Sequence, residues 1–356
     1  MIRTLGLVQD GNSLVLVLED FGSANLAQVA ARRGLDLAER MALALQLCSA
    51  ISAVHERDLI HCDISSKNVL VDLATLNLKL CDFALSTRLA HDQKPGPESG
   101  LRGTLEYMSP EQTGRTSLEI DYRSDLYSLG IVLYELFCGR TPFQSRDPMT
   151  LLHAQIAISP TPLHMVDPTI PEPLSLVVQK LLAKSPDDRY QSSFGLHCDL
   201  AECAQQWHRC HRMEVFPLGS KDVPERFCVA NRLYGREAES RALEAAFERV
   251  GGGRAELVLV NGYSGIGKTA LVGELHKPIV ARRGYFIRGK CDQYSRNQPY
   301  GALIQAFQQL LRQLAVEGPQ RRSYWKCELL EALGENAAAV AELLPNLALL
   351  VGAVPP

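Results

Sequence analysis

No two of the ten cysteines are separated by a two-residue gap, the spacing that structural zinc sites and redox pairs use. Their scatter suits reduced thiols and excludes the disulfide framework of a small secreted domain. There is no basic excess either. Lys and Arg number 37 against 40 Asp and Glu, for a net charge of -3 and an isoelectric point near 6.3, which provides no electrostatic footprint for nucleic acid. The opening stretch MIRTLGLVQDGNSLVLVLEDFG contains only a short apolar run, Leu14 to Leu18, too brief for a secretory signal or an anchor. The longer stretch LYSLGIVLYELF is apolar but does not reach the thickness of a bilayer. No internal repeat of fixed period stands out. These absences predict a cytoplasmic chain with neither nucleic acid nor membrane as partner.

What is present is enough for two cores: 356 residues, 46% hydrophobic and 22% charged, with helical and strand-like patterns alternating. Asp36 and Glu39 have capping-box spacing, and Leu37, Met41, Ala44, Cys48, Ile51 and His55 then recur at helical intervals. NVLVDLATLNLKLCDF predicts two short strands around a turn containing Asn77, and HDQKPGPESGLRG a loop. A strongly apolar helix is predicted over Ser117 to Phe137, inside a core rather than on one, with further helices to about Arg212. Pro, Gly and charge then replace periodicity in EVFPLGSKDVPERFCVANRLYGRE, which marks a linker over 213–232. Beyond it, EAESRALEAAFERV predicts a helix stopped by Gly251 to Gly253. ELVLVNG and GYFIRGK predict strands. HCDLAECAQQWHRCHR concentrates Cys and His, but on a helix Cys203 and Cys210 share a face while Cys198 and His208 point elsewhere. A helix with buried thiols therefore accounts for it without a metal.

Two motifs carry chemistry. In HCDISSKNVLVDLATLNLKLCDFA, Asp63 and Asn68 follow a histidine closely, and Asp82 comes after one strand-turn-strand. Phosphoryl transfer needs positioning and charge neutralisation more than covalent help. One carboxylate, Asp63, suits a hydroxyl proton, and Asn68 and Asp82 supply the hard oxygen ligands that Mg²⁺ prefers. In order along the chain stand His61-x-Asp63 with Asn68, Asp82-Phe83-Ala84, Ser109-Pro110-Glu111, Asp125 with Gly130, and Arg189. On these residues the chain from about Leu5 to Arg212 resembles a protein kinase. The resemblance implies a buried Glu111–Arg189 ion pair. It also implies that Asp125 holds the catalytic loop from within its helix, and that Thr104 is a substrate-side threonine of the serine/threonine class. LVLVLEDFG resembles the last strand of the N-lobe and a hinge near 19–22, with Glu19 to Phe21 beside the adenine.

The departures from the kinase pattern are as specific as the matches. Cys62 stands where an arginine usually pairs with a phosphorylated loop. Ser65 stands where a lysine steadies the γ-phosphate, and Ala84 where a glycine gives the metal loop its freedom. Upstream of Leu14 there is room for one more strand but not for a Gly-rich loop, strand lysine and αC glutamate. Most of the N-lobe is therefore expected to be missing, which leaves an unpaired edge and an apolar face prone to self-association.

GYSGIGKT is a complete G-x-x-x-x-G-K-T phosphate loop predicted between a strand and a helix. Gly262, Ser264, Gly265 and Gly267 would wrap backbone N–H groups around phosphates. Lys268 would reach the β- and γ-phosphates, and Thr269 would ligate Mg²⁺. LYGRE, Leu233 to Glu237, resembles the element that precedes this loop in AAA-type and STAND-type ATPases. No hydrophobic strand ending in acids follows, so the ATPase domain is expected to be incomplete at its C-terminal side.

The expected fold is α/β and α+β in two domains: a kinase-like unit over 1–212 and the first part of a P-loop NTPase over 233–356. The order of parts resembles the front of large bacterial signalling proteins in which a serine/threonine-kinase-like domain precedes an AAA-type ATPase. That resemblance implies an ATP- and Mg-dependent serine/threonine phosphotransferase acting on a protein substrate or on downstream signalling domains. The alternative is a pseudokinase scaffold regulating a nucleotide-operated switch.

Overall fold

A computed structural model describes residues 1–10, 13–21, 24–31, 34–88, 104–116, 118–224, 235–263, 265–275, 278–279, 282, 284–291, 300–315, 317 and 319–352. Its N-terminal hairpin pairs β1, Thr4–Asp10, with β2, Ser13–Leu18, antiparallel, with Leu7 opposite Leu16. The continuous apolar run Leu14 to Leu18, with valines at 15 and 17, suits a strand, yet Leu5, Leu7, Leu14 and Leu16 all remain more than half exposed. The base of the hairpin is fastened to the rest of the lobe. Ile2 N–H donates to Leu80 O at 2.9 Å, and Lys79 Nζ meets Glu19 at 2.7 Å and lies over the Phe21 ring. Gly22, the last residue of the expected hinge, lies outside the described residues.

A small sheet follows, in the order β3 (Ala24–Asn25), β5 (Val69–Asp72), β6 (Asn77–Leu80), all antiparallel. Its neighbour is a two-strand ladder of β4, Leu59–Ile60, and β7, Thr87–Arg88. Asn77 opens β6 rather than sitting in the turn, because Leu76 takes the left-handed conformation that reverses the chain. Helix α1 is Leu26–Ala31, and α2 is Leu37–His55 with both hydrogen bonds of the capping box formed between Asp36 and Glu39. By length and composition α2 could cross a bilayer; here Met41, Ala44, Cys48 and Ile51 are sunk in the core.

Helix α3, Tyr122–Cys138, is the axle of the lobe, since every residue except Glu135 and Cys138 is buried. It begins later than the apolar pattern suggests because Asp121, in extended backbone, takes the Arg123 N–H on its side chain and caps the helix there. At Gly130 a Cβ would stand 2.8 Å from Leu181 Cβ, so glycine permits the close approach of α6, Glu172–Leu181. Helices α4 (Pro148–Ala157), α5 (Leu163–Val166) and α7 (Ser193–Cys210) complete the lobe. On α7, Cys203 is buried but Cys210 is exposed, so the two do not share an environment as the helical face predicted. Residues 213–224 of the expected linker are strapped to the lobe. Asp222 accepts from Gln191 N–H and Ser192 Oγ, and Phe216 and Leu218 pack on the core.

The regular elements described in the second unit are helices. Helix α8, Glu237–Val250, ends at Gly251 to Gly253, and α9, Lys268–Gly273, follows the glycine loop. Then come α10 (Gly301–Ala315), α11 (Pro319–Leu333), α12 (Ala337–Leu343) and α13 (Ala348–Val351), around a core of Leu311, Leu314, Leu347, Leu350 and Val351. The strands expected at 256–262 and 284–290 are irregular. An apolar extended run becomes a strand only with a partner ladder, and no partner strand exists among the described residues here. Leu257 and Leu259 consequently stand more than four-fifths exposed. The 284–290 segment finds partners of another kind. Gln305 and Gln309 accept the Lys290 and Arg288 N–H groups, and Gln313 donates to Phe286 O. Steps of four on a helix and two on an extended chain both advance about 6 Å, which lets one face of α10 serve alternate peptide groups.

Candidate active site and nucleotide cradle

The first site hangs from one buried carboxylate. Asp125, in the first turn of α3, accepts His61 N–H (2.8 Å) and Cys62 N–H (2.9 Å), and His55 Nε2 sits 2.9 Å away. The other ring nitrogen of His55 lies 3.2 Å from Ser193 Oγ on α7. Gln112 Nε2 adds a bond to Cys62 O at 2.7 Å. Cys62 is thereby held at φ +65°, in the left-handed region a non-glycine residue enters only when its surroundings impose it. Burial, aided by Asp125 and Asp63, pushes its thiol up to about 12, so it is no nucleophile.

That clasp presents Asp63, half-buried, to the opposite side. Its Oδ1 accepts both Thr104 N–H (3.0 Å) and Thr104 Oγ1 (3.2 Å). Asn68 Nδ2 donates to Asp63 O at 2.8 Å and Oδ2 at 3.1 Å. Asn68 and Asp82 stand at the two ends of the β5–β6 hairpin, and Cys81 N–H closes on Asn68 O at 2.9 Å. Of the residues predicted for this site, Asp63 and Asn68 are joined directly, and Asp82 follows the Cys81 that is bonded to Asn68. Asp82 is exposed, at φ +63°, with Oδ1 accepting Ala84 N–H, and the Phe83 ring packs tilted against His61 with centroids 4.6 Å apart. An amide oxygen and a carboxylate at a hairpin mouth are a hard donor set that fits Mg²⁺. Among the described residues no group of three His, Cys, Asp or Glu side chains forms a metal cluster. Ser65 cannot replace a phosphate-steadying lysine, because its hydroxyl is turned into the interior and makes no hydrogen bond.

Behind the loop, Arg189 and Glu111 form a fully buried bidentate pair at 2.7 and 2.9 Å, and Ser124 Oγ adds a third bond to the carboxylate. Burial alone would raise the Glu111 carboxyl. The Arg189 charge and the hydrogen bonds outweigh it and hold the group below the ordinary glutamate range. Sequence reasoning missed a second acid. Glu135 of α3 accepts Tyr107 Oη (2.6 Å) and Ser66 Oγ, tying the catalytic loop to the segment after Thr104. A single acid in an apolar helix carries no local signal of such a role.

The second site is the loop from Gly262 to Thr269. Gly265 and Gly267 take φ of +83° and +93°, which side chains resist. Lys268 Nζ folds back on the loop, 2.8 Å from Gly262 O and 2.7 Å from Tyr263 O. Ser264 lies outside the described residues, as do Leu233 and Tyr234 of LYGRE; Thr269 is exposed at the start of α9. A cavity of about 550 Å³ opens between α8 and the loop, lined by Arg236, Glu239, Leu243, Leu259 and Lys268. Another, of about 260 Å³, has Lys268 and Thr269 on one wall and Phe286 and Arg288 on the other.

Comparison with known proteins matches this architecture. The protein kinase domain family matches residues 1–200, and the AAA ATPase domain family residues 232–353. The chain is 38% identical over 269 residues to hybrid signal transduction histidine kinase G of Dictyostelium discoideum, covering 70% of this chain and 8% of that protein. It is 35% identical over 153 residues to the serine/threonine-protein kinase PknB of Mycobacterium leprae, 43% of this chain and 24% of the relative. It is 23% identical over 337 residues to histidine protein kinase 1 of Candida albicans, 86% of this chain and 14% of the relative. The chain thus spans less than a quarter of the length of each of these curated relatives.

Proposed function

The chain belongs to the protein kinase domain family, with an AAA ATPase domain following, and on that premise we propose an ATP-dependent serine/threonine phosphotransferase joined to a nucleotide-binding switch in a signalling protein. The observation that carries the serine/threonine reading is the double hydrogen bond of Thr104 to Asp63 across 41 residues of sequence. It braces the carboxylate beside the place a substrate hydroxyl would occupy. Asp63 would orient that hydroxyl and take its proton as the oxygen–phosphorus bond forms and the bond to ADP breaks. Asn68 and Asp82 would hold Mg²⁺, which neutralises phosphate charge when bound. Gly262, Gly265, Gly267, Lys268 and Thr269, with Ser264 between them, would hold a second Mg-ATP.

We assign residues 1–212 to the phosphotransferase, 213–232 to the connection and 233–356 to the ATPase part. The partner is a protein substrate or a downstream signalling domain, in the cytoplasm, where thiols stay reduced. Neither nucleic acid nor membrane is proposed as partner. The buried, unpartnered Ser65 hydroxyl and Ala84 favour a second reading, a pseudokinase scaffold acting through the ATPase.

Radiolabelled phosphate transfer to a generic protein substrate separates the two. Transfer to serine and threonine that Asp63→Ala abolishes supports the phosphotransferase. Transfer to tyrosine sinks the class assignment, and no transfer above the Asp63→Ala background leaves the scaffold.

A further inference from the structure

Three residues beyond Glu111, the chain leaves the kinase lobe's buried ion pair and turns at Gly114, φ +65°. There it sends Arg115 into the ATPase part. Arg115 is 8% exposed. Its guanidinium lies over the Tyr285 ring at 5.9 Å, and Nη2 reaches Met149 Sδ on α4 (3.3 Å) and Gln313 O on α10 (3.5 Å). Beneath the ring, Tyr285 Oη donates to Glu317 Oε1, and Glu317 is 2% exposed. The other carboxylate oxygen of Glu317 is buried without a hydrogen bond, 3.9 Å from Arg321 Nε. A buried carboxylate with an unsatisfied oxygen is costly unless a cation stands near. Arg115 and Arg321 are the cations that face it. Burial lowers the Arg115 pKa, against which Tyr285 and Glu317 act to keep the charge.

The seat connects two sites. On one side Gln313 both receives Arg115 and holds Phe286 O at 2.9 Å. Phe286 and Arg288 face Lys268 and Thr269 across the 260 Å³ cavity. On the other side, Met149 belongs to α4, whose Gln155 Nε2 binds Glu106 O at 2.7 Å, two residues from Thr104 and its bonds to Asp63. The Arg115 seam itself is nearly closed: the space among Arg115, Met149, His153, Gly284 and Arg321 is about 20 Å³.

We propose that Arg115, seated on Tyr285, Gln313 and Glu317, is the intramolecular anchor by which nucleotide at the Gly262–Thr269 loop acts on the Thr104–Arg115 segment and α4 of the kinase lobe. Phosphates entering the cradle draw Lys268 off the Gly262 and Tyr263 carbonyls and fill the cavity that Phe286 and Arg288 wall. The glutamine-held segment shifts, and the Arg115 seat with it. Because the ATPase domain reaches the lobe at the segment that braces Asp63, the substrate side of the lobe is the surface it regulates. The proposal rests on the P-loop reading above, but not on catalysis by Asp63.

Hydrogen–deuterium exchange on the full chain, with and without a non-hydrolysable ATP analogue and Mg²⁺, tests it. In the unaltered chain the analogue is expected to change uptake at the phosphate loop and also at 104–116 and 148–157. Arg115→Met and, from the other side of the seam, Glu317→Gln are expected to keep the response at the loop and lose it in the lobe. Either variant alone suffices if the other does not fold. A response at the loop with none in the lobe of the unaltered chain overturns the coupling. A lobe response that survives both variants overturns the anchor. Silence at the loop itself sinks the P-loop reading and the coupling with it.

Discussion

Arg189 makes more bonds than its salt bridge. Besides Glu111 it donates to Ala183 O, Arg123 O and Lys184 O, and it stacks on Tyr127. Removing its one anionic partner leaves a buried guanidinium with dipoles only. Glu111→Ala is therefore expected to cost the kinase lobe about 3–5 kcal/mol, read from the lobe's urea transition; a loss below about 1 kcal/mol would show the pair to be dispensable. Lys184, whose carbonyl accepts from Arg189, is a second buried cation, and here burial works against the charged form. Its Nζ donates to Tyr127 Oη, Ala154 O and Gln155 O, capping α4 from beneath the Phe143 ring. Burial first, and Arg189 second, push it down to about 7. Between that value and the ordinary lysine range the unfolded chain binds the proton that the folded one has released. Stability from this site therefore rises with pH over that window and is lowest below it. Lys184→Met is expected to remove that rise, so the difference in Tm between the two proteins shifts in favour of the unaltered chain from pH 7 to pH 10. A difference that stays flat across that range would place the lysine's titration elsewhere. Glu111 and Arg189 were legible in the sequence because each sits in a recognisable motif. Lys184, Glu135 and Arg115 were not, since what makes them matter is a neighbour many residues away.

Among the elements, helices with their own stop and start signals were the legible ones. Asp36 and Glu39 fixed α2 to the residue, and the glycines after Val250 ended α8. The apolar 256–262 and 284–290 runs misled because a strand is a property of two segments, and periodicity in one cannot supply the other. The β1–β2 hairpin is the converse case: its ladder is complete, but its faces are not covered. Leu7 and Leu16 are cross-strand partners, 62% and 54% exposed. An apolar hairpin with open faces and edges favours pairing with a second copy. The chain is expected to associate at roughly tens of micromolar, the range in which exposed apolar surface drives association. Leu7→Lys with Leu16→Glu, oppositely charged across the ladder, should return it toward monomer in light scattering. An unaltered chain that scatters as a monomer at that concentration would show the faces to be tolerated by solvent.

At the scale of the whole molecule, the order of two phosphate-handling units was readable because both motifs are local strings whose spacing survives without any contact. The seam between them was not readable, for it is made of Arg115, Tyr285, Gln313 and Glu317, none of which belongs to either string. The remaining question at this scale is which unit dominates nucleotide binding. Near Asp63 the structure offers a narrow crevice, and Asp82, exposed just after the β5–β6 hairpin, would act on phosphate only through a metal. The Gly262–Thr269 loop offers an ammonium that can exchange two carbonyls for phosphate oxygens, beside cavities of about 550 and 260 Å³. Charge-assisted hydrogen bonds contribute about 1.5–3 kcal/mol each, so Lys268→Ala should weaken a fluorescent ATP analogue by about ten- to a hundredfold. Asp82→Ala should leave that titration nearly unchanged, because the loop does not use it. Turnover from the loop is expected to be slow, as no acidic group stands among the described residues around Lys268 to orient an attacking water except Glu239 and Glu256 on the far wall of the larger cavity. If Lys268→Ala binds as the unaltered chain does while Asp82→Ala does not, the kinase cleft is the principal nucleotide site, and the direction of control runs from the lobe to the ATPase instead.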